Sequence, residues 1–150
     1  MTSRAACELS GVLAAAAPVA GIQFPEQCDP SRGMPLITFH GKEDKVNHYT
    51  LRKNSRAYWT SGVEDSIDGW VNGNRCNKSP QTEKISDAVT KQTWKDCRDG
   101  AEVVFYSIED GGHTWPGSPV INTAFWAGKT NADIVASELM WDFFSEHALP

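Results

Sequence analysis

No two of the four cysteines stand at Cys-x-x-Cys spacing; Cys7, Cys28, Cys76 and Cys97 are widely separated. Zinc-ribbon and thioredoxin patterns are excluded, and disulfides are the leading use of an even, dispersed set. The apolar runs are all too short to cross a bilayer, so no membrane span is expected. Basic residues form no stripe, and a net charge of -5 spread along the chain argues against a nucleic-acid partner. The opening MTSRAACELS has one arginine and no apolar core before a cleavage site, so no secretory leader is read there. Two disulfides would still imply an oxidising compartment. A G-x-S-x-G elbow is missing too: Ser61 lies in WTSGV and Ser107 inside an apolar run. Without repeats, low-complexity tracts or a linker, residues 1–150 read as one globular domain or part of one, with 40% hydrophobic and 22% charged residues.

What is present is a set of α/β elements. Residues 3–9 read as a short helix end, and LAAAAPVAG (13–21) as a short buried strand closed by Pro18 and Gly21. MPLITFHG (34–41) and AEVVFYSIED (101–110) are strands whose apolar residues do not alternate with polar ones, which predicts cover on both faces. Between them, 48–61 has helix-like spacing of Tyr49, Leu51, Ala57, Tyr58 and Trp59. A second helix runs to Trp70, and a short hairpin falls in TEKISDAVTKQTW. The C-terminal NADIVASELMWDFFSEHAL is a helix with Val135, Leu139 and Phe143 at i, i+4, i+8, capped by Thr130 or Asn131. Two doubly covered strands separated by helical text predict a mostly parallel sheet with flanking helices.

In such a sheet the loops beyond the strand ends carry chemistry. HGKEDKV places Asp44 after the first strand, and DGGHTWPG places His113 after the second. Parallel strands bring both loops to one edge. An imidazole oriented by a carboxylate from the next loop is the base and acid of a nucleophile-activating triad. Gly111 and Gly112 are read as letting the loop turn, with Trp115 and Pro116 stiffening it. The plainer reading is a loop histidine bonded to a carbonyl and an aspartate in a turn. A metal site drawn from His40, Glu43, Asp44, His48 and His113 matches no compact spacing, so neither metal nor cofactor is expected. His147 is read as solvent-facing.

The segments ACELSGVLAAAAPVAG, PLITFHGKEDKV, WVNGNRCN, WKDCRDGAEVVFYSIEDGGHTWPG and ASELMWDFF, in this order, resemble the C-terminal half of secreted α/β-hydrolase esterases. These are the polyhydroxybutyrate depolymerases and the feruloyl or acetylxylan esterases of carbohydrate esterase family 1. The resemblance covers nearly the whole chain, and GGHTWPG is its most specific motif. It implies a partial α/β-hydrolase fold, the C-terminal strands of a mostly parallel sheet with the N-terminal strands missing. It also implies Asp44 as triad acid, His113 as triad base, and a nucleophilic serine upstream of the first residue. The fragment is therefore expected to be inactive alone. Cys76 and Cys97 match a cysteine pair of that group. Of the three possible pairings, Cys76 with Cys97 and Cys7 with Cys28 is the one expected, the latter tying the first helix to the loop before the strand.

The implied partner is an ester, either a polyester or a plant cell-wall ester, and the intact protein is expected outside the cell. Trp115 is the first candidate for contact with an acyl group, with Phe125 and Trp126 behind it; Trp59, Trp70 and Trp141 are read as core. The alternative is a non-catalytic module that binds polysaccharide or polyester through loop aromatics. It needs no serine, but gives His113 and Asp44 no task.

Overall fold

The computed structural model describes residues 1–119 and 125–149. In chain order it forms α1 (Thr2–Glu8), β1 (Leu36–Gly41), α2 (Val63–Gly73), β2 (Gln81–Lys84), β3 (Val89–Trp94), β4 (Val103–Ile108) and α3 (Ala136–Glu146), with a 3-10 turn at Arg98–Gly100. The four strands make one sheet in the order β1-β4-β3-β2. The two strong strands of the sequence are β1 and β4. They pair in parallel, with Leu36 opposite Val103 and Gly41 opposite Ile108.

The remainder of the sheet corrects the expectation of a mostly parallel α/β-hydrolase sheet. Both β3 on β4 and β2 on β3 are antiparallel, so the sheet is small and mixed. The reason is connection length. Four residues, 85–88, join β2 to β3, and eight, 95–102, join β3 to β4. A parallel crossover takes a dozen or more, so these links permit only hairpins. The segment 13–21 contributes two isolated parallel bridges to β1, Ala16 with Leu36 and Val19 with Phe39, rather than a continuous strand.

Every residue of β1 and β4 is buried. Their side chains alternate between two apolar clusters, as the period of two requires. Leu36, Val103 and Phe105 pack with α1 and with Val63, Ile67 and Trp70 of α2. Ile37, Phe39, Val104 and Tyr106 pack on the other face against Ala136, Met140 and Phe143 of α3. Helices on both faces hold the parallel pair so that its carboxyl ends emerge together.

Cysteines 7 and 28 are bonded, as are 76 and 97, each pair 21 positions apart. The first bridge ties α1 to the loop before β1, and the second closes the hairpin insertion. Replacing both Cys76 and Cys97 by serine is expected to lower stability by about 3 kcal/mol, the chain-entropy value for a loop of this length. Urea midpoints of the oxidised parent and the double variant measure it, and an unchanged midpoint would show that the bridge constrains nothing.

Four helical and core assignments are corrected. Residues 48–61 form turns, not a helix. Leu51 and Tyr58 are exposed there, and the Ser55 hydroxyl accepts the Arg52 amide, so a local side-chain bond replaces a helical ladder. The last helix begins at Ala136 rather than at 131, because the Asn131 side chain turns the chain by accepting the Asp133 amide. Trp141 lies on the open side of α3, at 73% exposure, while Trp70 is fully buried. His147 is largely buried against Phe143 with Nε2 3.3 Å from Glu102 Oε1, not turned to solvent.

Candidate functional site

At the carboxyl ends of β1 and β4 the two following loops are bonded to each other. The amide of Lys42 donates to Ile108 O (2.8 Å) and that of Glu43 to Gly111 O (3.0 Å). Contact this close requires that Gly41 carry no side chain: a Cβ there would stand 2.0 Å from Gly111 O. Gly112 is held in the same way, since a Cβ added to it would stand 2.1 Å from Ala127 O. Neither Gly111 nor Gly112 adopts positive φ. They serve backbone approach, not the sharp turn expected of them.

His113 and Asp44 meet across this junction. Asp44 Oδ1 accepts the amides of Val46 and Asn47, both at 2.8 Å, and its Oδ2 lies 2.9 Å from His113 Nδ1. The Asp44 side chain is wholly buried, while that of His113 is 31% exposed. A carboxylate can only accept, so His113 Nδ1 carries the proton and donates it. Its Nε2 is then a lone pair, and no hydrogen bond reaches it among the described residues. The His113 amide donates to Ala127 O at 2.6 Å, which fixes the backbone beneath the ring.

A second histidine shares the carboxylate. His40, the fifth residue of β1, has Nε2 3.0 Å from Asn47 O and 3.4 Å from Asp44 Oδ2. Both neighbours are acceptors, so Nε2 bears the hydrogen. Nδ1 is left buried and, among the described residues, without a partner. Burial lowers the His40 pKa; the Asn47 carbonyl and Asp44 oppose that shift, and His113 adds to it. In the sequence His40 stands out only as a conceivable metal ligand. Its i, i+4 relation to Asp44 becomes a contact only because the chain turns at Gly41.

Neutral His40 makes stability depend on acid. Its folded pKa lies below the ordinary 6.5, so below pH 6.5 the unfolded chain takes up a proton that the fold resists. The contribution is complete above 6.5 and is lost as pH falls toward the folded value. Between about pH 7.5 and about pH 5 the parent is expected to lose more urea stability than His40→Gln, which cannot take that proton. Equal losses in the two proteins would show that His40 is not held neutral.

The other candidates lie around this centre without joining it. Trp115 is half-exposed and donates its indole N–H to Ser137 Oγ (3.0 Å), so it fastens the loop to the first turn of α3. Pro116 O accepts the Ala136 amide in the same joint. His48 Nδ1 lies 3.1 Å from Ser55 Oγ, Glu43 is exposed, and Asp110 pairs with Lys129. No group of three His, Cys, Asp or Glu side chains among the described residues is arranged to hold a metal ion. No described helix is long and apolar enough to cross a membrane.

Over its whole length the chain aligns with a feruloyl esterase B of Piromyces equi, 26% identical over 159 positions. The likeness is thus to part of an esterase. The aligned region is 26% of that enzyme, so the chain spans about a quarter of the length of the curated relative it matches. No protein-family model matches it. The two disulfides are consistent with an extracellular setting.

Proposed function

We propose that this chain supplies the base and the acid of a serine-type carboxylic ester hydrolase. The observation that carries the reading is the His113–Asp44 pair, with a protonated Nδ1 held on a buried carboxylate and an open Nε2 lone pair on the exposed side. In that arrangement His113 Nε2 takes the proton of a serine hydroxyl as it attacks the ester carbonyl, then gives it to the leaving alcohol. Asp44 holds the imidazole in the required tautomer and stabilises its cation. Esters of the plant cell wall, feruloyl or acetyl, and polyesters such as polyhydroxybutyrate are the substrate classes; the likeness to a feruloyl esterase favours the first.

The nucleophile is assigned outside these residues, because no described serine is bonded to His113 Nε2. A non-catalytic binding module accounts for the exposed Phe125 and Trp126 but leaves the tautomer-fixed His113 without a task. The 150-residue chain alone is therefore expected to hydrolyse p-nitrophenyl acetate no faster than buffer, and to turn it over well above buffer once joined to a serine-bearing segment. Turnover by the chain alone that disappears in His113→Ala would place the nucleophile within it. A joined protein that folds but shows no His113-dependent turnover would overturn the hydrolase reading.

A further inference from the structure

Beside the His113–Asp44 pair lies a cavity of about 470 Å³ whose walls come from three separate stretches of chain: Lys45 and His48, then Arg56, then Phe125 and Trp126. Two of its walls continue directly from the pair. Lys45 follows Asp44, and Trp126 precedes Ala127, whose carbonyl holds the His113 amide. Lys45 and Arg56 are exposed, and their side chains have no carboxylate or hydrogen-bond partner among the described residues. Phe125 and Trp126 are also open, at 94% and 54% exposure.

The charge here runs against that of the whole chain. Net charge is -5, yet residues 42–56 hold five of the 14 Lys and Arg (Lys42, Lys45, Arg52, Lys53, Arg56) against two acids, Glu43 and Asp44. Lys42 is neutralised by Glu109, and Asp44 is buried in its own hydrogen bonds. What faces the cavity is therefore positive charge, unpaired among the described residues, opposite aromatic rings.

We infer that this cavity is a subsite for a carboxylate-bearing sugar, a hexuronate unit of an acidic polysaccharide. A guanidinium forms paired bonds to a carboxylate, and an ammonium beside it adds charge without a required geometry. An aromatic ring covers the apolar C–H face of a pyranose, and the indole N–H is a further donor to its hydroxyls. A planar aryl acid calls for a narrow buried slot. This cavity is lined by the exposed polar side chains of Lys45, Asn54 and Arg56, and its volume lies in the ordinary range of about 300–1,000 Å³ for ligand sites. The inference rests on the ester-hydrolase reading in one respect, that the sugar belongs to the ester substrate.

Titration of the 150-residue chain with sodium D-glucuronate, followed by amide and indole N–H shifts, tests the subsite without turnover. Saturable shifts are expected at the Trp126 indole and the Lys45 and His48 amides in the millimolar range, with D-glucose giving much weaker ones. Arg56→Gln and Lys45→Gln are each expected to weaken glucuronate binding, Arg56→Gln by about tenfold, and circular dichroism checks that both stay folded. Glucose binding as well as glucuronate, equal competition by inorganic phosphate, equal binding of ferulate, or unchanged affinity in both folded variants would each overturn the assignment. Failure of the hydrolase reading would leave these shifts in place, and failure here would leave the His113–Asp44 chemistry untouched.

Discussion

His113→Ala, made in a protein that joins these residues to a serine nucleophile, is expected to lower kcat/KM for p-nitrophenyl acetate by about a thousandfold or more. The variant removes the lone pair directed from this junction toward the open side, and with it the proton acceptor. Because the ring is part exposed, the loss should reach activity without unfolding the chain. Asp44→Asn acts through geometry. Asparagine can keep an oxygen where Oδ1 accepts the Val46 and Asn47 amides, which places its NH₂ where Oδ2 met His113 Nδ1. That NH₂ is a donor, so Nδ1 must give up its hydrogen to accept it, and Nε2 becomes the protonated nitrogen. The imidazole is then present, but its Nε2 cannot accept the serine proton. The two losses should not multiply, since each disables one unit. Glu43→Gln and Asp110→Asn are the controls: Glu43 is exposed and Asp110 is paired with Lys129. If Asp110→Asn destroyed turnover while Asp44→Asn kept it, the orienting carboxylate would have been misassigned.

The second large effect is expected from Gly41→Ala. The added carbon would stand 2.0 Å from Gly111 O, 2.2 Å from Gly111 C and 2.8 Å from Gly112 O, all backbone atoms of the loop that carries His113. Backbone cannot rotate aside as a flexible side chain does, so the two loops must separate. The variant is expected to lose about 3 kcal/mol or more of urea stability, at the upper end of overpacking costs. It should also break the His113–Asp44 hydrogen bond, read by loss of the downfield Nδ1 proton resonance. Gly11→Ala is the comparison, because a Cβ there meets only Ser31 Oγ at 3.4 Å and should change little. A Gly41→Ala protein with parental stability and the Nδ1 resonance intact would mean that the loops are not held in close contact.

How far the site is legible in the sequence follows from how local each feature is. His113 and Asp44 can be chosen because each stands just past a strand marked by apolar residues on both faces. His40 cannot, because its bearing on Asp44 depends on the turn at Gly41 and its tautomer on the Asn47 carbonyl. The cavity beyond Lys45 is illegible for a stronger reason: its cations and its aromatic wall are about 70 to 80 positions apart in the chain. Residues 48–61 show the opposite failure: the apolar spacing suits a helix, but Tyr49 packs on the core while Leu51 and Tyr58 stay exposed, so the apolar residues do not share one buried face.

By itself the sequence determined the two fully buried strands β1 and β4, the hairpin, the α2 and α3 regions and the loops that carry His113 and Asp44. Each of these is written in local apolar periodicity or in turn residues. Tertiary structure decided the rest. It set the direction of the outer strands, because links of four and eight residues return the chain antiparallel. It also set the tautomers of the two histidines, because a ring nitrogen carries its hydrogen according to the acceptor placed opposite it: Asp44 is brought to His113 where the Gly41 and Gly111 backbones touch, and the Asn47 carbonyl is brought to His40 by the turn that follows Gly41.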